Sequence, residues 1–145
     1  MAQQSGEPQR LLVVDGDVLV RHVISDYLRT CGYVVVEAAS TDEATLVLDD
    51  TNDMVEAVLC DADAPGRLSA FEFRAWAVRR TPATRVILAG SIGAAADKAA
   101  ELCEEGPHLQ RPYDPQGVVE YIRRIVGTRS ADRMNKAELA RAAFD

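Results

Sequence analysis

The sequence predicts an α/β fold: a five-stranded parallel sheet, doubly wound, with helices on both faces. Three observations carry this. Short β-branched runs alternate five times with stretches of helical apolar spacing, two of those runs end abruptly in carboxylates at Asp15 and Asp61, and Gly or Pro punctuates the junctions. Strand–helix alternation of this kind builds a parallel sheet whose chemistry gathers at the C-terminal strand tips.

The first strand is residues 11–14, Leu-Leu-Val-Val, ending at Asp15-Gly16-Asp17. From Val18 the spacing becomes helical, with Leu19, Val23 and Tyr27 on one line, Val20, Ile24 and Leu28 on the next, and Gly32 as the C-terminal cap. Residues 33–37 form the second strand. Ser40 followed by Glu43 has capping-box spacing and opens a second helix that reaches Asp50. Residues 54–60 give the third strand, which runs into Asp61, Asp63 and the Pro65-Gly66 turn. Phe71, Ala75 and Val78 fall on one face of a third helix that Thr81-Pro82 terminates.

Residues 85–89 make a fourth strand, and the Ala-rich residues 94–105 a fourth helix that Gly106-Pro107 breaks. Residues 108–110 leave room for a brief fifth strand. Asp114-Pro115 then opens a fifth helix with Val118, Ile122 and Ile125 as its buried stripe and Gly127 as its end. This is the (βα)5, flavodoxin-like order. Residues 1–9 are expected to be a frayed start, residues 10–128 the domain, and residues 129–145 a C-terminal helical tail with a thin stripe of Met134, Leu139 and Phe144, suited to a sixth helix, a dimer contact or a mobile end.

At 145 residues, 48% of them apolar, the chain has material for one core. A net charge of −7 argues against nucleic acid or an anionic membrane as a direct partner, since both need excess Lys and Arg. Cys31, Cys60 and Cys103 are odd in number, far apart and without metal-binding spacing, so reduced core thiols in a cytoplasmic protein are expected. No run has the length of a signal sequence or a membrane span.

In a doubly wound sheet the first and third strands are neighbours, which would bring Asp15 and Asp17 toward Asp61 and Asp63. Four like charges in one pocket raise each other's pKa, and a hard cation such as Mg²⁺ offsets that cost. A carboxylate beside Mg²⁺ can attack a phosphoryl group, and Arg111, after the fifth strand, is placed to meet the anion.

Over residues 10–127 the sequence resembles the receiver domains of two-component response regulators. Leu11-Leu12-Val13-Val14-Asp15 resembles the family's first strand and acidic pair, Asp61 followed by Asp63-Ala64-Pro65-Gly66 its phospho-acceptor strand and loop, and Arg111-Pro112-Tyr113 its Lys-Pro-aromatic motif. The resemblance implies a stand-alone, CheY-like receiver whose Asp61 takes a phosphoryl group from a histidine kinase or histidine phosphotransfer protein. It implies Mg²⁺ held by Asp15, Asp61 and the Asp63 backbone carbonyl. Output would pass by protein contact through the fourth helix, fifth strand and fifth helix, with a homodimer left open. The chain departs from the pattern in several places. Gly16 stands where the second acidic ligand belongs, with Asp17 as a substitute ligand or, slightly favoured, a helix cap. Gly90, with Ser91 one place later, stands at the switch hydroxyl, His108 at the switch aromatic, and Arg111 in place of Lys.

Two other readings stand beside this one. Gly16, Gly90 and Arg111 suit an interaction module that keeps the fold and works without phosphate. Asp15-Gly16-Asp17 also looks like the Asp-x-Asp motif of haloacid-dehalogenase-type phosphatases, with Asp15 as nucleophile and Asp17 as general acid; the short chain weighs against it, and no turnover enzyme is expected beyond self-phosphorylation and autodephosphorylation. Phe73 and Trp76 read as packing, and Cys60 as core on the strand face opposite to its neighbour Asp61.

Overall fold

A computed structural model describes residues 9–50 and 54–105, together with residues 117, 120, 121 and 124. Four strands alternate with four helices: β1 (Arg10–Val14), α1 (Val18–Thr30), β2 (Val34–Ala38), α2 (Thr41–Asp49), β3 (Ala57–Asp61), α3 (Ala70–Arg80), β4 (Arg85–Ala89) and α4 (Ile92–Glu105). The sheet is parallel throughout, in the order β2-β1-β3-β4. The fifth strand expected at residues 108–110 lies outside the described residues, as do His108, Arg111 and the tail. Gly117, Glu120, Tyr121 and Arg124, from the expected fifth helix, are helical.

Because successive strand residues point to opposite faces, β1 and β3 split cleanly between two cores. Leu11, Val13, Ala57 and Leu59 pack under α1 and α4, meeting Val20, Ile24, Leu28, Ala95, Ala99 and Leu102. Leu12, Val14, Val58 and Cys60 pack under α2 and α3, meeting Ala44, Leu48, Ala70, Phe73 and Ala77.

The helix ends follow from local chemistry. α1 stops in a Schellman turn: Gly32 has φ 106°, its N–H donates to the Arg29 carbonyl at 3.0 Å, and the Tyr33 N–H donates to the Leu28 carbonyl at 3.2 Å. At α2 the Ser40 hydroxyl accepts from the Glu43 N–H at 3.2 Å, but the Glu43 carboxylate reaches back to the N–H of Ala39 rather than that of Ser40. The full reciprocal box sits at α3 instead, between Ser69 and Glu72.

The apolar lines of two helices sort between core and solvent, and one sequence expectation is corrected. The α3 face carrying Phe71, Ala75 and Val78 turns to solvent, and α3 buries Ala70, Phe73 and Ala77; small alanines let the helix sit close to the sheet. Leu19 of α1 is likewise exposed, leaving Val20, Ile24, Tyr27 and Leu28 to make the contact. The three thiols are not all free. Cys31 and Cys103, 72 residues apart in sequence, are joined by a disulfide with Cα atoms 5.4 Å apart, and Cys60 alone is free.

That disulfide depends on where α4 lies. With α2 and α3 on one face and the strands progressing outward from β1 to β4, a right-handed crossover beyond β4 would keep the next helix on the α2/α3 face. α4 instead crosses to the face of α1, where Cys103 meets the α1 C-cap Cys31 and the Tyr33 hydroxyl donates to the Leu102 carbonyl at 2.6 Å. Burial pushes the Tyr33 phenol up to about 12.

Candidate functional site

The adjacency of β1 and β3 sets the site. Val14 pairs with Cys60, so the next residues, Asp15 and Asp61, emerge together at the C-terminal edge of the sheet. Both are partly buried, and both line a cavity of about 10 Å³ with Arg21, Cys60, Ala89 and Ala95. Asp15 is held above the usual carboxylate range, at about 6. Burial is the main cause and the charge of Asp61 adds to it, against the Asp17 N–H and Arg21, which favour the ionised form.

Hydrogen bonds fix the surrounding backbone. The Asp15 N–H donates to the Ala38 carbonyl at 3.1 Å, and the Asp15 carboxylate accepts from the Asp17 N–H at 2.8 Å. The Asp61 carboxylate accepts from the Asp63 N–H at 3.2 Å, and the Ala64 N–H donates to the Asp61 carbonyl at 3.0 Å. Gly66, at φ 137°, allows the following turn, and the Pro65 carbonyl accepts from the Thr41 N–H at 2.8 Å.

The four-carboxylate pocket expected from the strand tips does not form. Asp17 is the N-cap of α1, accepting from the N–H groups of Leu19 at 3.0 Å and Val20 at 3.3 Å, and Asp63 is exposed. Among the described residues no group of three or more His, Cys, Asp or Glu side chains is placed to hold a metal ion. Asp15 and Asp61 remain as a two-carboxylate donor set, which fits a cation such as Mg²⁺ that keeps several of its waters.

Gly16 has a structural reason to lack a side chain. A Cβ there would stand 2.9 Å from Cδ and 3.1 Å from Cγ of Pro65. At the tip of β4, Gly90 has nothing within 4 Å of a Cβ position, while the Ser91 hydroxyl accepts from the Ala94 N–H at 3.1 Å. The hydroxyl sought at Ser91 therefore caps α4. Cys60 lies in the α2/α3 core, and burial, reinforced by Asp61, pushes its thiol up to about 12.

Sequence reasoning missed Arg21. Its Nη1 donates to the Asp15 carbonyl at 2.8 Å and its Nε to Glu37 at 3.1 Å, tying the first turns of α1 to the tip of β2 beside the site. Its place one helical turn after the Asp17 cap was the available signal.

No family model matches the chain. Solved structures do. A CheY-like response regulator receiver domain protein from Methanospirillum hungatei superposes at a TM-score of 0.54, with 20% identity, covering 87% of this chain and 99% of that one. The signal receiver domain of an HD domain-containing protein from Pseudomonas fluorescens gives 0.56 at 18% identity, over 92% and 97% of the two chains. This chain has the receiver-domain fold. A receiver domain from Clostridium thermocellum gives 0.54 at 22% identity, over 85% and 98%. The receiver likeness extends to sequence in one stretch: 56 residues, 39% of the chain, are 38% identical to the two-component response regulator-like protein APRR7 of Arabidopsis thaliana. The chain covers 8% of that protein's length. Among the described residues of this receiver fold, no helix is long and apolar enough to cross a membrane.

Proposed function

We propose that the protein is a response regulator receiver of a two-component phosphorelay, accepting a phosphoryl group on Asp61. The observation that carries this is that Asp61 and Asp15, at neighbouring strand tips of a receiver fold, line one cavity. A carboxylate oxygen of Asp61 attacks phosphorus in a phosphohistidine of a histidine kinase or phosphotransfer protein. The P–O bond forms as the P–N bond breaks, and the imidazole keeps the electron pair and takes up a proton. Mg²⁺ held by Asp15 and Asp61, with the Asp63 carbonyl, would offset charge on the phosphoryl oxygens. Gly16 supplies no ligand, so its affinity is expected to be low. Arg111 is assigned to the phosphoryl anion, Gly90, Ser91 and His108 to the switch positions, and the reaction to the cytoplasm, with output by protein contact.

A second reading is favoured by one pair of contacts: Pro65 fills the space of an acidic side chain at residue 16, and Ser91 is spent on capping α4. Both suit an interaction module that works without phosphate.

Intact mass after incubation with Mg²⁺ and a small acyl phosphate decides between them. One phosphoryl adduct, absent in Asp61→Asn, is expected. No adduct from either the donor or a cognate kinase establishes the phosphate-independent module, and an adduct that survives in Asp61→Asn removes Asp61 as acceptor.

A further inference from the structure

We propose that the flank of α3 turned away from α2 is a docking surface for an acidic amphipathic helix of a partner protein. At 3.6 residues per turn, Phe71, Arg74, Ala75 and Val78 follow the i, i+3, i+4, i+7 pattern and share one side of the helix. All four are exposed, Phe71 at 65% and Val78 at 53%. The opposite flank is the one facing α2, where Arg80 Nε lies 2.9 Å from the Asp49 carboxylate and Trp76 is partly buried against Phe73.

The position of α4 explains why this flank is open. A helix kept on the α2/α3 face after β4 would lie beside α3 and cover it, but α4 packs on the other face with α1. Beneath the uncovered side, Val86 and Leu88 of β4 are only partly buried although they pack against the α2/α3 core. Among the described residues no helix covers this side of α3, and the Ser69–Glu72 capping box holds α3 in shape.

Charge selects the occupant. Arg74 and Arg79 are exposed on α3, and their guanidinium groups make no hydrogen bond or ion pair among the described residues. A protein of net charge −7 thus presents two uncommitted arginines along an apolar stripe of α3. Aromatic and Arg side chains are the groups that anchor interfaces most strongly, and at contact range the local positive charge of the arginines selects carboxylates. The complementary ligand is a helix with apolar residues at i, i+4 and i+7 flanked by Asp and Glu.

The test is selection on the full-length protein from a displayed library of helical peptides with Leu fixed at i, i+4 and i+7 and flanking positions drawn from Asp, Glu, Lys, Arg and Ser. Selected sequences are expected to be enriched in Asp and Glu. Their binding should weaken at least tenfold for Phe71→Ser and for Arg74→Glu, and Arg74→Glu should recover affinity for the Lys-substituted peptide. Both sites are exposed, so circular dichroism should show unchanged folding. An absence of binders, selection without acidic preference, binding indifferent to both variants, or instead a sedimenting dimer abolished by Phe71→Ser would each overturn the proposal.

Discussion

The Pro65 ring stands against the bare Cα of Gly16, with Cδ only 2.9 Å from where a Cβ would begin. The loop after β3 and the tip of β1 are packed so closely that the lack of a side chain at residue 16 is a steric requirement. Gly16→Asp is expected to destabilise the protein by about 1–3 kcal/mol, the usual cost of overpacking. Adding Pro65→Ala should return most of that loss in urea unfolding. Equal destabilisation with and without Pro65→Ala would refute the packing argument.

Asp15 should make stability depend on pH in an unusual direction. Its folded-state value, about 6, lies above its ordinary 3.8, so ionisation is opposed in the folded chain and free in the unfolded one. Below the ordinary value both states are protonated and nothing is lost. As pH rises through the folded value, stability falls. With the group partly exposed, the loss is about 1–2 kcal/mol after allowing for solvent screening. Asp15→Asn, which keeps an acceptor for the Asp17 N–H, should therefore stabilise the metal-free protein by that amount at about pH 7.5 and by almost nothing near pH 4, read from unfolding midpoints.

Asp17 separates capping from metal binding. Asp17→Ser keeps an oxygen for the Leu19 and Val20 amides and should leave stability nearly unchanged, whereas Asp17→Ala should cost about 1 kcal/mol. Mg²⁺ affinity, followed by titration calorimetry, should be the same in both variants. A selective loss of affinity in Asp17→Ser would make the side chain a ligand.

The Cys31–Cys103 bond closes a long loop, and chain entropy gives such a bond roughly 4 kcal/mol at most. Alkylation after denaturation without reductant should label one thiol, Cys60, and three after reduction. The melting temperature should fall on reduction and match that of Cys31→Ser/Cys103→Ser. Both cysteines are fully buried in the folded chain, which slows attack on the bond by thiolates from solution.

The strand order and the approach of Asp15 to Asp61 were legible in sequence because β-branched runs ending in carboxylate leave few arrangements for a parallel sheet. The face of α3 was not. Phe71, Ala75 and Val78 have the right spacing for a buried stripe, and so do Ala70, Phe73 and Ala77; periodicity fixes the period of a helix but not its phase when small residues do the packing. Asp17 illustrates a different limit. Ligand and cap ask for the same side chain at the same point, and only the geometry of the first turn of α1 separates them. The Cys31–Cys103 pairing was hidden because it depends on which face α4 takes, a choice made by the whole sheet rather than by the residues around either cysteine.

α4 is anchored to the α1–β2 corner twice, by the Cys103 disulfide and by the Tyr33 hydroxyl on the Leu102 carbonyl. Neither helix can leave the sheet without dragging the other, so α1 and α4 form one cooperative opening unit, although three strands and two helices lie between them in the chain. A motion of α4 alone would have to start at its N-terminal end, which Ser91 caps and which reaches the Asp61 cavity through Ala95.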